Sequence, residues 1–341
     1  MLFRSLVVWV GWWAGLTMVT YLVVDVWDLL NPWRTLATLV PATPRSLPSR
    51  AGAWPSVAGL LALVWLEVVT PVAESPRTLG TVVVAYTVVT VAGGAVYGDA
   101  WFRRVDPVAR VFELYGRLAP IQRTDDGLTL SVPGTALARD PAVVTGDDAA
   151  FVLALLWVTS YDGLVSTATW NDVVAPVVAA GVPALAVQFV TLLVGFAAVV
   201  GAYRFAARLA RRTAPTYVTA DFVARWFAPS LLPIAAGYHL AHFLGYFLGL
   251  APALATVAFD PLSPPATVPT LVVPGWFGSL QLAFVVVGHM LAVWIAHARS
   301  FELFAGRLQP IRSQYPFVVV MVAYTVSSLW IVTQPFASPL T

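Results

Sequence analysis

The sequence predicts an all-α protein, a polytopic transmembrane helix bundle of about eight spans with one cytoplasmic loop that holds an interfacial helix and a short hairpin. Three observations carry this. Only 11% of the 341 residues are charged and the mean hydropathy is +0.80, whereas soluble domains carry about 25% charged residues. Eight apolar segments reach the roughly 20 residues that a bilayer core of about 30 Å requires. The arginines fall in alternate connections between those segments.

Taken in order, the spans are expected near residues 5–24, 54–73, 79–98, 149–169, 180–203, 227–251, 276–298 and 316–335, within a single membrane domain covering 1–341. The apolar stretch from Val173 to Val187 is interrupted by Pro176 and Pro183, so the fifth span is started after it. Seventeen of the nineteen basic residues, all arginine, lie after odd-numbered spans. Basic residues concentrate in cytoplasmic loops, so those connections are expected inside, both termini outside, and the chain in the cell membrane. Arg4 and Arg77 are the two arginines of the opposite face.

The loop at 99–148 is the one sizeable region between spans. Val105 to Leu118 suits an amphipathic helix at the membrane surface with Arg110 and Arg117 on its polar side. Asp125-Asp126-Gly127 reads as a turn, and Leu128 to Val132 alternates as a short strand.

Composition also excludes chemistries. Without cysteine there is no disulfide, thiolate zinc site, iron–sulfur cluster or cysteine nucleophile. Without lysine there is no Schiff base and no P-loop lysine. A net charge of +2 spread over many loops gives nucleic-acid binding no support. The expected partners are membrane lipid and an apolar small molecule.

Ionisable groups at bilayer depth cost about 2.5–3.5 kcal/mol each on insertion scales, so each asks for a partner or a purpose. Here they are Glu67, Asp162, His239, His242 and His289, with His297 near a cytoplasmic helix end. All four histidines of the chain fall in the sixth and seventh spans. With a rise of about 1.5 Å per residue, the carboxylates and the first three histidines reach overlapping depths. His239 and His242, three residues apart, share a helix face. Three readings stay open. His239, His242 and His289 are candidate ligands of a divalent, zinc-like metal ion, with Asp162 or Glu67 as ligand or general base. The same groups suit a proton or hydrogen-bond network. A single haem b could be held between His239 or His242 and His289. Asn31-Pro32-Trp33-Arg34 reads as a proline-capped turn, and Trp9, Trp12, Trp13 and Trp101 read as an aromatic belt.

Several of these elements together resemble the fenitrothion hydrolase family of polytopic membrane proteins. They are Asn31-Pro32-Trp33-Arg34, Tyr161-Asp162-Gly163-Leu164, Tyr238-His239-Leu240-Ala241-His242, Gly288-His289, Ala296-His297, Arg312-Ser313-Gln314, Tyr324-Thr325, Leu329-Trp330 and Gln334-Pro335. The resemblance implies hydrolysis of organophosphorus esters. It also implies further hydrophobic segments ahead of the Asn-Pro-Trp-Arg element, and so a second membrane or periplasmic-side subunit. Joined to the histidines, it gives the expectation of a membrane-embedded, metal-dependent hydrolase of apolar organophosphorus-type esters. The alternative is a transporter or a redox membrane subunit using the same histidines.

The topology is directly testable because the chain has no native cysteine. A single cysteine placed near either terminus should react with an impermeant maleimide in intact cells, and one in the 99–148 loop should not. The reverse pattern would overturn the assignment.

Overall fold

The computed structural model describes residues 5–42, 45–70, 72, 75–124, 127–139, 145–260 and 267–340. Fifteen helices are used below: α1 (Leu6–Leu22), α2 (Trp27–Leu30), α3 (Pro32–Thr38), α4 (Trp54–Val69), α5 (Pro76–Tyr97), α6 (Asp99–Arg104), α7 (Pro107–Gly116), α8 (Thr135–Arg139), α9 (Gly146–Val165), α10 (Ala168–Ala179), α11 (Ala184–Thr213), α12 (Ala220–Phe227), α13 (Leu232–Phe259), α14 (Phe277–Leu303) and α15 (Leu308–Thr333). One hairpin, β1 (Ile121–Thr124) with β2 (Gly127–Leu130), pairs antiparallel with Ile121 opposite Leu130. The architecture is an all-α bundle.

Among the described residues six helical stretches are long and apolar enough to cross a bilayer: α5, α9, α11, the continuous Ala220–Phe259 stretch, α14 and α15. Two further apolar helices, α1 and α4, are shorter. Most boundaries fall within a few residues of those expected. The largest departure is α11, which runs on to Thr213. Arg204, Arg208, Arg211 and Arg212 therefore sit on the last turns of a helix and not in a loop. The segment after α9 forms its own helix, α10, with Pro176 inside it.

Helix α9 is the axis of the bundle. Of its most apolar stretch 72% is buried, against 11–28% for the other five. It packs on α4, α11, α13, α15 and the 3-10 turn Ala228–Leu231. Ala149, Ala150 and Ala154 keep its surface small enough for neighbours on every side. Its start is fixed by a capping box, in which the Asp148 amide donates to Thr145 Oγ1 (3.3 Å) and the Thr145 amide donates to Asp148 Oδ2 (3.1 Å).

Helices α13 and α14 meet at glycines. A Cβ on Gly288 would lie 2.5 Å from the Pro233 carbonyl oxygen, and one on Gly237 would lie 2.7 Å from that of Phe284. Small residues here let two backbones touch. That crossing sets the spacing of the histidines on both helices.

The surface helix expected over 105–118 is a helix, but not a surface one. Helix α7 is buried among α1, α4 and α6, with Val111, Phe112, Leu114 and Tyr115 in the core. Arg110, expected on a polar face, is 6% exposed. Its guanidinium donates to Asp148 Oδ1 (2.8 Å) and to the Arg103 carbonyl, and lies over the Phe151 ring at 4.9 Å. A partner carboxylate at the head of α9 makes that burial tolerable. The hairpin is present with β2 two residues shorter than the expected strand at its C-terminal side, and Asp125 and Asp126 of the expected turn lie outside the described residues. Its first strand is tied to the end of α1, where the Ile121 amide donates to the Val23 carbonyl (3.1 Å).

The Asn-Pro-Trp-Arg turn is built as expected. Asn31 Oδ1 accepts from the Trp33 and Arg34 amides, and Arg34 pairs with Asp28 at 2.8 Å. Nearby Asp25 sits against Gly116, where a Cβ would come within 2.5 Å of its carboxylate, and Oδ1 accepts from the Trp27 amide. Burial pushes the Asp25 carboxyl up to about 6, against the opposing Trp27 hydrogen bond and with help from Asp28 and Glu113. An unfolded aspartate titrates near 4. The folded state thus holds its proton more tightly, and stability from this group is present below about pH 4 and lost as pH rises through about 6. Asp25→Asn should melt a few degrees higher than the parent at pH 8 and converge with it at pH 4. Thermal melts in detergent across that range check this; an offset independent of pH would contradict it.

Candidate functional site

Four of the five expected site residues lie on two faces of one junction, where α1, α4, α9 and α13 meet. Two helices position the central pair. Asp162 stands in the last turn of α9 and His242 near the middle of α13. His242 Nε2 lies 3.3 Å from Asp162 Oδ2, with the two side chains 32% and 22% exposed. The imidazole is stacked parallel to Tyr238 (6.3 Å between centroids, 13°) and meets Phe243 edge-on (4.8 Å). Its orientation is therefore set by a carboxylate on one edge and rings on the others. Glu67, from α4, lies within electrostatic range of Asp162, and the Tyr246 hydroxyl of α13 lies within range of Glu67. The arrangement is an acid–base cluster of two carboxylates and one imidazole, bordered by phenols.

His239 shares the α13 face but belongs to a different environment. Its Nδ1 is 3.0 Å from the Tyr21 hydroxyl of α1. Phe243, Tyr21, Trp13 and Tyr115 surround the ring with centroids 4.7–6.2 Å away, and the ring also lies against the Trp13 backbone. It is 2% exposed. A histidine so enclosed ties α1 to α13.

His289, on α14, points elsewhere again. Its Nδ1 lies 2.8 Å from the Val285 carbonyl oxygen one turn earlier. A carbonyl only accepts, so Nδ1 carries the proton and Nε2 is left with its lone pair. Nε2 is buried with no hydrogen-bond partner among the described residues. The ring faces Tyr324 of α15 at 6.4 Å. The Tyr324 hydroxyl donates to the Leu156 carbonyl (2.7 Å) and meets the Ser160 hydroxyl, both on α9. His297 lies apart, with Nδ1 about 3.3 Å from the Gln314 amide of the Arg-Ser-Gln element. Gln314 also donates to Ser300 Oγ and the Pro310 carbonyl, both at 2.9 Å. That element therefore joins α14 to α15.

The three histidines expected as metal ligands stand in separate surroundings. Each of His239, His242 and His289 has a different partner, namely a tyrosine, an aspartate and a backbone carbonyl. Among the described residues no group of three or more His, Asp or Glu is arranged to hold a metal ion. What the structure does bring together is Asp162 and His242, with Glu67 within electrostatic range of Asp162.

Sequence reading gave the tyrosines no role of their own, naming Tyr238 and Tyr324 only within the family resemblance. Tyr238 and Tyr246 border the cluster, while Tyr21 and Tyr324 face His239 and His289, yet a tyrosine in an apolar helix gives no signal of its own, since the same residue is ordinary at a membrane interface. Comparison with known proteins finds no matching family model, no matching curated protein and no matching solved structure.

Proposed function

We propose that the chain is a multi-pass membrane protein of eight spans that exchanges protons for a lipophilic small molecule, with Asp162, His242 and Glu67 as the proton-handling centre. The six long helices supply spans of 20 residues or more. Helix α4, at roughly 24 Å by α-helical rise, and α1, shorter than its roughly 26 Å α-helical equivalent because a π-helix rises less per residue, complete the eight with thinning of the bilayer around them. The observation that carries the reading is the Asp162–His242 pair at 3.3 Å, linking two helices inside an apolar bundle. Ionisable groups so placed persist when they move protons or bind a charged partner. An imidazole beside a carboxylate that itself lies within electrostatic range of a second one can take up a proton and pass it on through that carboxylate with small motions of side chains.

Hydrolysis of an apolar organophosphorus ester, which the family resemblance implies, is favoured by the same pair. A carboxylate-oriented imidazole is the arrangement of a general base acting on water. In this reading Asp162 orients, His242 takes the proton, and no step is routed through a metal.

Vesicles loaded with a pH-sensitive dye and given a pH step separate these readings. With the lipophilic probe benzyltrimethylammonium added on one side as the molecule to be exchanged, proton exchange predicts relaxation faster than in empty vesicles, falling at least about tenfold in Asp162→Asn and in His242→Ala and staying unchanged in His297→Ala. Equal rates in all of them would contradict it. Turnover of a p-nitrophenyl phosphotriester by the same preparations, lost in His242→Ala, would move the conclusion to hydrolysis.

A further inference from the structure

Beside the acid–base cluster, α1, α4, α5 and α7 enclose a cavity of about 120 Å³ that the proton-exchange reading does not itself require. Its walls are aromatic and aliphatic, including Trp9, Trp12, Trp13, Trp33 and Tyr86, and Glu67 is the carboxylate among the described residues that line it. The walls are held firmly. Trp12 contacts the rings of Trp13, Trp27, Trp33 and Phe112 at centroid distances of 5.8–6.3 Å. The Trp33 indole N–H donates to Thr87 Oγ1 (2.9 Å), and the Tyr86 hydroxyl donates to Asp106. Helix α1, which brings three of the tryptophans, is a π-helix over Leu6–Leu16, a geometry that recurs at functional sites.

Charge decides what such a groove accepts. The charged neighbour of Glu67 among the described residues is a second carboxylate, Asp162, whose imidazole partner is already His242. Among the described residues no basic side chain lies within electrostatic range of Glu67. A carboxylate bordered by indole faces attracts a cation, because the ring quadrupole and the carboxylate act in the same direction. A volume of this size is somewhat below the roughly 150 Å³ that accommodates one benzene ring. It suits an ammonium head alone, with a ring or apolar group at its mouth and the remainder of the molecule lying in lipid.

We propose that this groove binds a lipophilic organic ammonium ion, its cationic head against Glu67 and among the faces of Trp9, Trp12 and Trp13. This names the cargo of the proton-exchange reading and rests on it: proton and organic cation occupy Glu67 in turn, so release of one accompanies uptake of the other.

Binding is measured by titration calorimetry on detergent-purified protein with benzyltrimethylammonium, whose charge is fixed at every pH, and with its neutral carbon isostere neopentylbenzene. The cation should bind and the isostere should bind at least about tenfold more weakly. Glu67→Gln should weaken the cation about thirtyfold, as expected for a buried charge that loses its counter-charge. Trp9→Leu, which keeps an apolar wall but removes the π face, should weaken it about threefold. Equal affinity for cation and isostere, or an unchanged affinity in Glu67→Gln, overturns the proposal. The assay needs no transport. If the cation binds but leaves the proton flux of dye-loaded vesicles unchanged, the exchange reading falls and the site stands. If flux depends on Asp162 while Glu67→Gln binds the cation like the parent, the site falls and the exchange reading stands.

Discussion

Asp148 holds the central helix in place through both of its carboxylate oxygens. Oδ2 accepts from the Thr145 amide and hydroxyl and so caps α9, while Oδ1 accepts from the buried guanidinium of Arg110. Losing one partner of such a pair typically costs about 3–5 kcal/mol, because the other charge is left buried. The connection also draws α7 into the bundle, and with α7 come Tyr115, beside His239, and Phe112, which stacks on Trp27 at 4.2 Å. Asp162 lies fourteen residues further along the same helix, about 21 Å from Asp148. The depth at which it meets His242 is therefore set from the far end of α9.

The second constraint is the contact of α13 with α14. Gly237 and Gly288 bring those backbones together, and His239, two residues after the first, and His289, directly after the second, are turned away from one another. His239 faces α1 and His289 faces its own preceding turn and α15. Helix α13 thus presents one histidine to a structural cage and another, three residues on, to a carboxylate. The spacing that suggests two ligands for one ion serves two different neighbours.

Much of the bundle was legible in the sequence because hydropathy reports the solvent of each helix directly. The places of the long apolar helices and the Asn31 cap follow from apolar length and turn chemistry. The 99–148 region was harder, since an amphipathic helix looks the same whether its arginine faces water or a buried aspartate 38 residues away. Depth arithmetic brought Glu67, Asp162 and His242 to a common level, but rotation about the helix axis decides which side chains meet. Rotation is set by contacts such as Gly237 on Gly288 and Gly163 under Tyr238, which no local pattern announces. The tryptophans of α1 read as an interfacial belt because the sequence does not reveal that the helix is a π-helix or that Trp12 is the hub of an aromatic cluster.

The central claim is that Asp162 and His242 act as one unit while the other histidines do not belong to it. Nitrogen-15 spectra of histidine-labelled protein in lipid test it most directly, with each signal assigned by its loss in the corresponding alanine variant. Asp162→Asn should move the His242 ring resonances and leave those of His239, His289 and His297 in place. Unchanged His242 resonances, or equal changes at all four histidines, would contradict the account.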